Sequence, residues 1–228
     1  CKLFFDKNWI DARPMPGKMS GAFSHPTVTS VHPYILMNYF GYTRDVMTLA
    51  HEIGHGIHQK LSAEQGEILS STPLTLAETA SVFGEMLTFE RLLKKEKNVS
   101  QRRALLAGKI EDMINTFVRQ IAFYDFEKRL HNERRNGELT IDMISKIWMD
   151  VTNESLGDAF EYEENYKYFW AYIPHFIHSP FYVYAYAFGN GLVNALYATY
   201  KSGLPDFEQK YLSLLSAGGS KHFSQLLK

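Results

Sequence analysis

The stretch TRDVMTLAHEIGHGIHQKL constrains the chain more than any other. Val46, Leu49, Ile53 and Ile57 recur at helical spacing, so it is expected to fold as an amphipathic helix with one face against a core. Thr43 is the expected N-cap, and Asp45 suits the first turn. The helix carries His51 and His55 one turn apart, with about 40° of rotation between them. Their ring nitrogens can therefore converge on one ion. His51-Glu52-Ile53-Gly54-His55 is an H-E-x-x-H sequence in a helical setting. Two imidazoles and a carboxylate suit zinc and leave a fourth position open for water. Zinc lowers the pKa of such a water from about 15.7 toward about 7. Glu52 projects beside the first histidine, where a carboxylate can take the water's proton.

The third ligand must come from another element. Glu78 stands among Leu76, Ala77, Ala80, Val82 and Phe83, a run that predicts an inward face. A carboxylate there is costly unless it is paired or ligated. Ala77, Ala80 and Ser81 are small enough to let two helices approach closely. Glu85 lies two turns on, on the same face, where it either orients a ligand histidine or makes an interior hydrogen bond. Glu85 and Glu67 remain open as alternative ligands. A fourth protein ligand would close the site to water, so His58 reads as a structural hydrogen-bonder. His25 and His32 each precede a proline and read as loop residues.

Around this constellation the pattern is mostly helical. Residues 1–33 are rich in Pro, Gly and Ser and predict loops and short strands. Residues 34–41, YILMNYFG, predict a strand, and Pro33 suits an edge position. Residues 64–71 read as a loop. Helices follow over 75–97, over 100–136 (with Leu105, Ile110, Met113, Ile114, Phe117, Ile121 and Phe126 as its apolar positions) and from Thr140 to Gly157. An aromatic segment spans 162–172, a Pro-bracketed turn holds His175 and His178, a helix covers 186–201, and Pro205 opens another. The fold class is therefore mainly α with a small N-terminal β-sheet. At 228 residues this is one large domain or a compact two-lobed one.

Charge excludes some partners. Lys and Arg number 24 against 25 Asp and Glu, so no field for nucleic acid or an anionic membrane is expected. No run approaches the roughly 20 apolar residues that span a bilayer, and the start lacks the basic and apolar regions of a signal peptide. Cys1 is the only cysteine, which favours a reducing compartment such as the cytoplasm.

Five stretches, ARPMPGKMSGAF, HPYILMNYFG, TLAHEIGHGIHQ, LAETASVFGE and IPHFIHSPFYVYAYAFGNG, span most of the chain. Together they resemble the thimet-oligopeptidase family of zinc peptidases, and within it the oligoendopeptidase F group. The resemblance implies a helical, zincin-like metallopeptidase catalytic domain over 1–228, the C-terminal part of a longer enzyme whose helical N-terminal part is absent. It implies one zinc ion per chain on His51, His55 and Glu78, Glu52 as base, and short peptides as substrates. An extended peptide would add to the strand YILMNYF as an edge. The resemblance also implies that a downstream histidine and tyrosines assist the transition state. That points to 175–186, in the order His175 and Tyr184, then Tyr182, then Tyr186. If this segment is helical, Tyr182 and Tyr186 share a face and Tyr184 points elsewhere; if it is extended, all three share a face. Arg13 and Lys18 are either substrate contacts or solvated loop charges. A zinc carboxypeptidase, or a peptide-binding scaffold retaining the motif, would carry the same H-E-x-x-H.

Overall fold

A computed structural model describes residues 1–227. The described residues divide into two compact units, the first formed by residues 1–102 and 189–227, the second by residues 103–188.

The first unit opens with α1 (Lys2–Asp6) and the strands β1 (Ile10–Asp11), β2 (Phe23–His25) and β3 (Tyr34–Leu36). The strand order is β1-β3-β2, with β1 parallel and β2 antiparallel to β3. The expectation that 34–41 forms an edge strand is therefore overturned. Ile35, Met37 and Tyr39 donate their N–H groups to the carbonyls of Trp9, Asp11 and Ala12 at 3.0, 3.0 and 2.9 Å, and β2 covers the other side. Pro33 is tolerated because it precedes the first paired residue, Tyr34. The regular strand also stops at Leu36, well before Gly41.

Next comes α2 (Thr43–Ser62), whose N-cap is Tyr42 rather than Thr43. The carboxylate of Asp45 accepts from the backbone N–H of Tyr42 at 3.0 Å and of Phe40 at 2.8 Å, so the acid expected in the first turn fixes the helix start. A 3₁₀ turn (Ala63–Gln65) and α3 (Gly66–Leu69) fill the segment expected to be a loop. The helix expected over 75–97 is two: α4 (Leu74–Ala77) and α5 (Thr79–Lys95), with Glu78 at the break. Helices α2 and α5 touch backbone to backbone. A Cβ on Gly54 would stand 2.5 Å from the Ala80 carbonyl oxygen, so only glycine permits this approach.

The single long helix expected over 100–136 is α6 (Val99–Ile114), a π-helical turn (Asn115–Arg119) and α7 (Gln120–Arg134). The wider turn rotates the apolar stripe, so Phe123 and Phe126 of α7 are buried whereas Ile110, Met113 and Ile114 of α6 are exposed. Then come α8 (Ile141–Leu156), capped by Thr140 as expected, the aromatic 3₁₀ segment Glu164–Tyr172, and α9 (His175–His178). The helix expected from residue 186 starts earlier, as α10 (Tyr184–Lys201); α11 (Phe207–Ser216) and α12 (Phe223–Leu226) follow.

Each unit has its own apolar centre. In the first, Phe4, Ile35 and Ile53 pack together, and Val82 and Phe83 of α5 pack on Val193 and Tyr197 of α10. In the second, α7 and α8 close over Phe126 and Trp148, with Ile173 and Val183 completing the cluster. Among the described residues no helix is long and apolar enough to cross a membrane.

Candidate metal centre

Glu78 owes its direction to the break between α4 and α5. Its backbone (φ −90°, ψ 3°) leaves the α-helical region, and it occupies the N-cap position of α5. Ser81 Oγ stands 2.8 Å from Glu78 Oε2 and 3.1 Å from the Glu78 carbonyl oxygen, and the N-terminus of α5 favours a negative group. Gly189 on α10 makes room: a Cβ there would lie 2.9 Å from the Glu78 Cβ.

The carboxylate meets the two histidines of α2. His51 Nε2 and His55 Nε2 are 3.1 Å apart, and each is 3.4 Å from Glu78 Oε2. Four-coordinate zinc with ligands at about 2.0–2.1 Å spaces its donor atoms about 3.3–3.4 Å apart, so this triangle fits such an ion. Among the described residues, His51, His55 and Glu78 are the group whose ligand atoms converge in this way. The alternatives left by the sequence are occupied elsewhere. Glu67 accepts from the N–H and hydroxyl of Thr29 at 2.9 and 2.5 Å. Glu85 accepts from His51 Nδ1 at 2.5 Å. A proton held on Nδ1 leaves the Nε2 lone pair facing the centre of the triangle.

The electrostatics call for positive charge. Burial works to lower the His51 pKa, but the hydrogen bond to Glu85 and the charges of Glu78, Glu85 and Glu52 outweigh it, and the net shift is upward. Burial works to raise the Glu78 carboxyl, yet the hydrogen bond from His55, both imidazoles and Ser81 bring it down to about 2. Glu52 is 6% exposed. Burial raises its pKa; His51 and His55 partly offset this, while Glu78 and Glu85 add to it. A buried carboxyl that holds its proton more readily is suited to pass one on.

His58 follows its expected structural part. It is 4% exposed, its Nε2 pairs with Thr72 Oγ1 at 3.3 Å, and burial followed by the charge of His55 holds its pKa down at about 4. His25 accepts from the Thr27 N–H at 3.0 Å, and His32 stacks on Trp9 at 4.3 Å. Lys18 ties its own turn, reaching the Asp11 carboxylate at 2.9 Å and the carbonyls of Asp11 and Arg13 at 3.0 Å. A recess of about 330 Å³ adjoins His55, lined also by His58, Gln59, Ser71 and Thr72 and by the loop of Val28 and Thr29.

The remaining predicted residues belong to the second unit. His175 Nε2 lies 3.2 Å from the Tyr186 hydroxyl, and the Tyr182 ring is 5.3 Å from that of Tyr186 and 6.0 Å from His175. Tyr184, ranked first with His175 on the sequence, opens α10 and packs instead on Tyr124 at 5.7 Å. Tyr186, ranked last, is the hydrogen-bonded partner. The sequence reading took Ser81 only as a small residue at the helix contact and missed its hydrogen bond to Glu78, because that bond depends on the helix break at residue 78.

A model of the family described as Peptidase family M3 matches residues 2–228. An oligoendopeptidase F homolog of Borreliella burgdorferi is 34% identical over 219 residues, which cover 95% of this chain and 37% of that protein. The oligopeptidase PepF of Bacillus subtilis is 31% identical over 226 residues, 98% of this chain and 33% of that one. The chain thus spans about a third of the length of these relatives. The crystal structure of oligoendopeptidase-F from Enterococcus faecium superimposes with a TM-score of 0.67 at 29% identity, covering 81% of this chain and 33% of that one. PZ peptidase A, solved with an inhibitor, gives a TM-score of 0.82 at 20% identity over 99% of this chain and 40% of that one, a likeness of fold.

Proposed function

The chain belongs to peptidase family M3, and on that premise we propose that it carries the catalytic site of a zinc-dependent endopeptidase that cuts internal bonds of short peptides. The observation that carries this reading is the His51–His55–Glu78 triangle, with edges of 3.1, 3.4 and 3.4 Å. Its dimensions and donor set fit zinc. When bound, the ion would make water acidic near neutral pH and polarise the scissile carbonyl.

The rest falls to the chain's own residues. His51, His55 and Glu78 hold the ion, and Glu85 fixes the tautomer of His51 by accepting from Nδ1. Glu52 takes the proton of the attacking water and passes it to the leaving amine, so no covalent acyl-enzyme forms. His175, Tyr182, Tyr184 and Tyr186 offer imidazole and phenol donors of the kind that steady a developing oxyanion. The pairing of His175 with Tyr186, and the ring of Tyr182 beside them, favour these three over Tyr184. The single cysteine fits a cytoplasmic setting. No partner beyond peptide is invoked.

The test measures zinc content and cleavage of an end-blocked, internally quenched peptide by the wild type and by Glu52→Gln. Retained zinc with lost cleavage in the variant supports the reading. Full cleavage by the variant removes Glu52 as the base. A wild type that cuts only peptides with a free C-terminus would be a carboxypeptidase, and one that binds zinc and peptide but cuts nothing would be a scaffold.

A further inference from the structure

Glu127, on α7, is a charged residue buried to 1% exposure in the second unit. Its Oε1 accepts from the backbone N–H of Phe181 at 2.8 Å, and its Oε2 has no hydrogen-bond partner among the described residues. A carboxylate enclosed with one oxygen unmatched is costly and would be replaced at little loss by an apolar side chain of similar size. Its α7 neighbours Phe123 and Phe126 belong to the apolar cluster of the second unit, and His131, one turn on, acts on it electrostatically. Its presence therefore asks for a reason other than packing.

The reason lies in what it holds. Phe181 has φ +60°, a left-handed conformation that is strained for a bulky residue and persists only when its surroundings impose it. Three residues on one face of α7 impose it. Tyr124 meets the Phe181 ring edge-on at 6.2 Å, His131 meets it at 4.9 Å, and Glu127 between them takes the backbone N–H. Spacings of i, i+3 and i+7 bring the three to one side of the helix. Phe181 sits between α9, which bears His175, and α10, whose first turn bears Tyr186. The turn at Phe181 thus sets how the two meet at 3.2 Å.

We propose that Glu127 is a positioning residue: it clamps the backbone of residues 179–183 in the strained turn that brings His175 and Tyr186 into register. The kinetic part of this inference rests on the reading that the His175–Tyr186 pair assists peptide hydrolysis. The clamp itself does not.

The full chain is compared with Glu127→Gln, whose amide oxygen can still accept from Phe181, and with Glu127→Met, which has the length but no acceptor. Amide hydrogen exchange over 179–183 reads the clamp directly. Exchange about tenfold faster in Glu127→Met and close to wild type in Glu127→Gln is expected, because the Phe181 N–H then loses or keeps its partner. With the end-blocked peptide, Glu127→Met should lose about 30-fold in kcat with KM changed less than about threefold, and Glu127→Gln should recover most of that loss. Zinc content should stay at the wild-type level in both. Unchanged exchange in Glu127→Met overturns the proposal, and so does a Glu127→Gln variant as loose as Glu127→Met. Tyr186→Phe separates the two readings. If it cleaves like wild type, the catalytic part of His175 and Tyr186 falls, while the exchange result still decides the clamp.

Discussion

Glu85 holds His51 by the nitrogen that faces away from the metal triangle. Its carboxylate accepts a hydrogen bond from Nδ1–H at 2.5 Å, and Nε2 of the same ring stands 3.4 Å from Glu78 Oε2. One hydrogen bond thus sets both the tautomer and the aim of the His51 ring. Replacing Glu85 by Ala should weaken zinc binding by about 10–100-fold. Competition with a chromophoric chelator measures this, and unchanged affinity would reduce the Glu85 contact to packing.

Glu52 is buried beside His51 without contributing to the triangle. Glu52→Gln keeps size and polarity and removes the proton carrier. It should bind zinc like the wild type and lose about 10²–10⁴ in kcat. Loss of zinc in this variant would count against a role confined to proton transfer.

Glu78 should contribute binding rather than proton transfer. Glu78→Ala removes a donor and leaves two imidazoles, so zinc content after dialysis should fall well below one ion per chain. Stoichiometric zinc in this variant would strike Glu78 from the ligand set.

The buried His58 gives the zinc-free protein a definite acid response. Its pKa falls from 6.5 to about 4 on folding, because burial and then His55 disfavour its charged form. The unfolded chain therefore binds more protons between those values. Stability from this group is complete above pH 6.5 and is lost as pH falls through about 4. Melting temperature should drop over that window in the zinc-free wild type. His58→Gln should flatten the slope there; an unaltered slope would assign it to other groups.

Much of this centre is legible in the sequence because helical periodicity is local. Val46, Leu49, Ile53 and Ile57 announce α2, and the two histidines ride on its phase. Glu78 is legible as an acid among inward-facing apolar residues. Its place at a helix break is not, since no Pro or Gly marks residue 78 and the break is shaped by Ser81 and by Gly189 from far along the chain. The position of β3 is hidden for a similar reason. Its neighbour β1 has two residues, too few for any alternation to show. The order of the tyrosines turns on where α10 begins, and the Phe181 turn that fixes it depends on the side chain of Glu127, 54 positions earlier.

The contact at Gly54, where a Cβ would stand 2.5 Å from the Ala80 carbonyl oxygen, joins α2, which carries His51 and His55, to α5, which begins just after Glu78, through backbone alone. A zinc ion held by His51, His55 and Glu78 would meet a frame fixed by packing. Its uptake should carry almost no heat-capacity change, unlike the large negative value seen when metal and fold form together. Calorimetrically, the protein should behave as a chelator of fixed shape, with an affinity governed by proton release and dehydration rather than by the ordering of its chain.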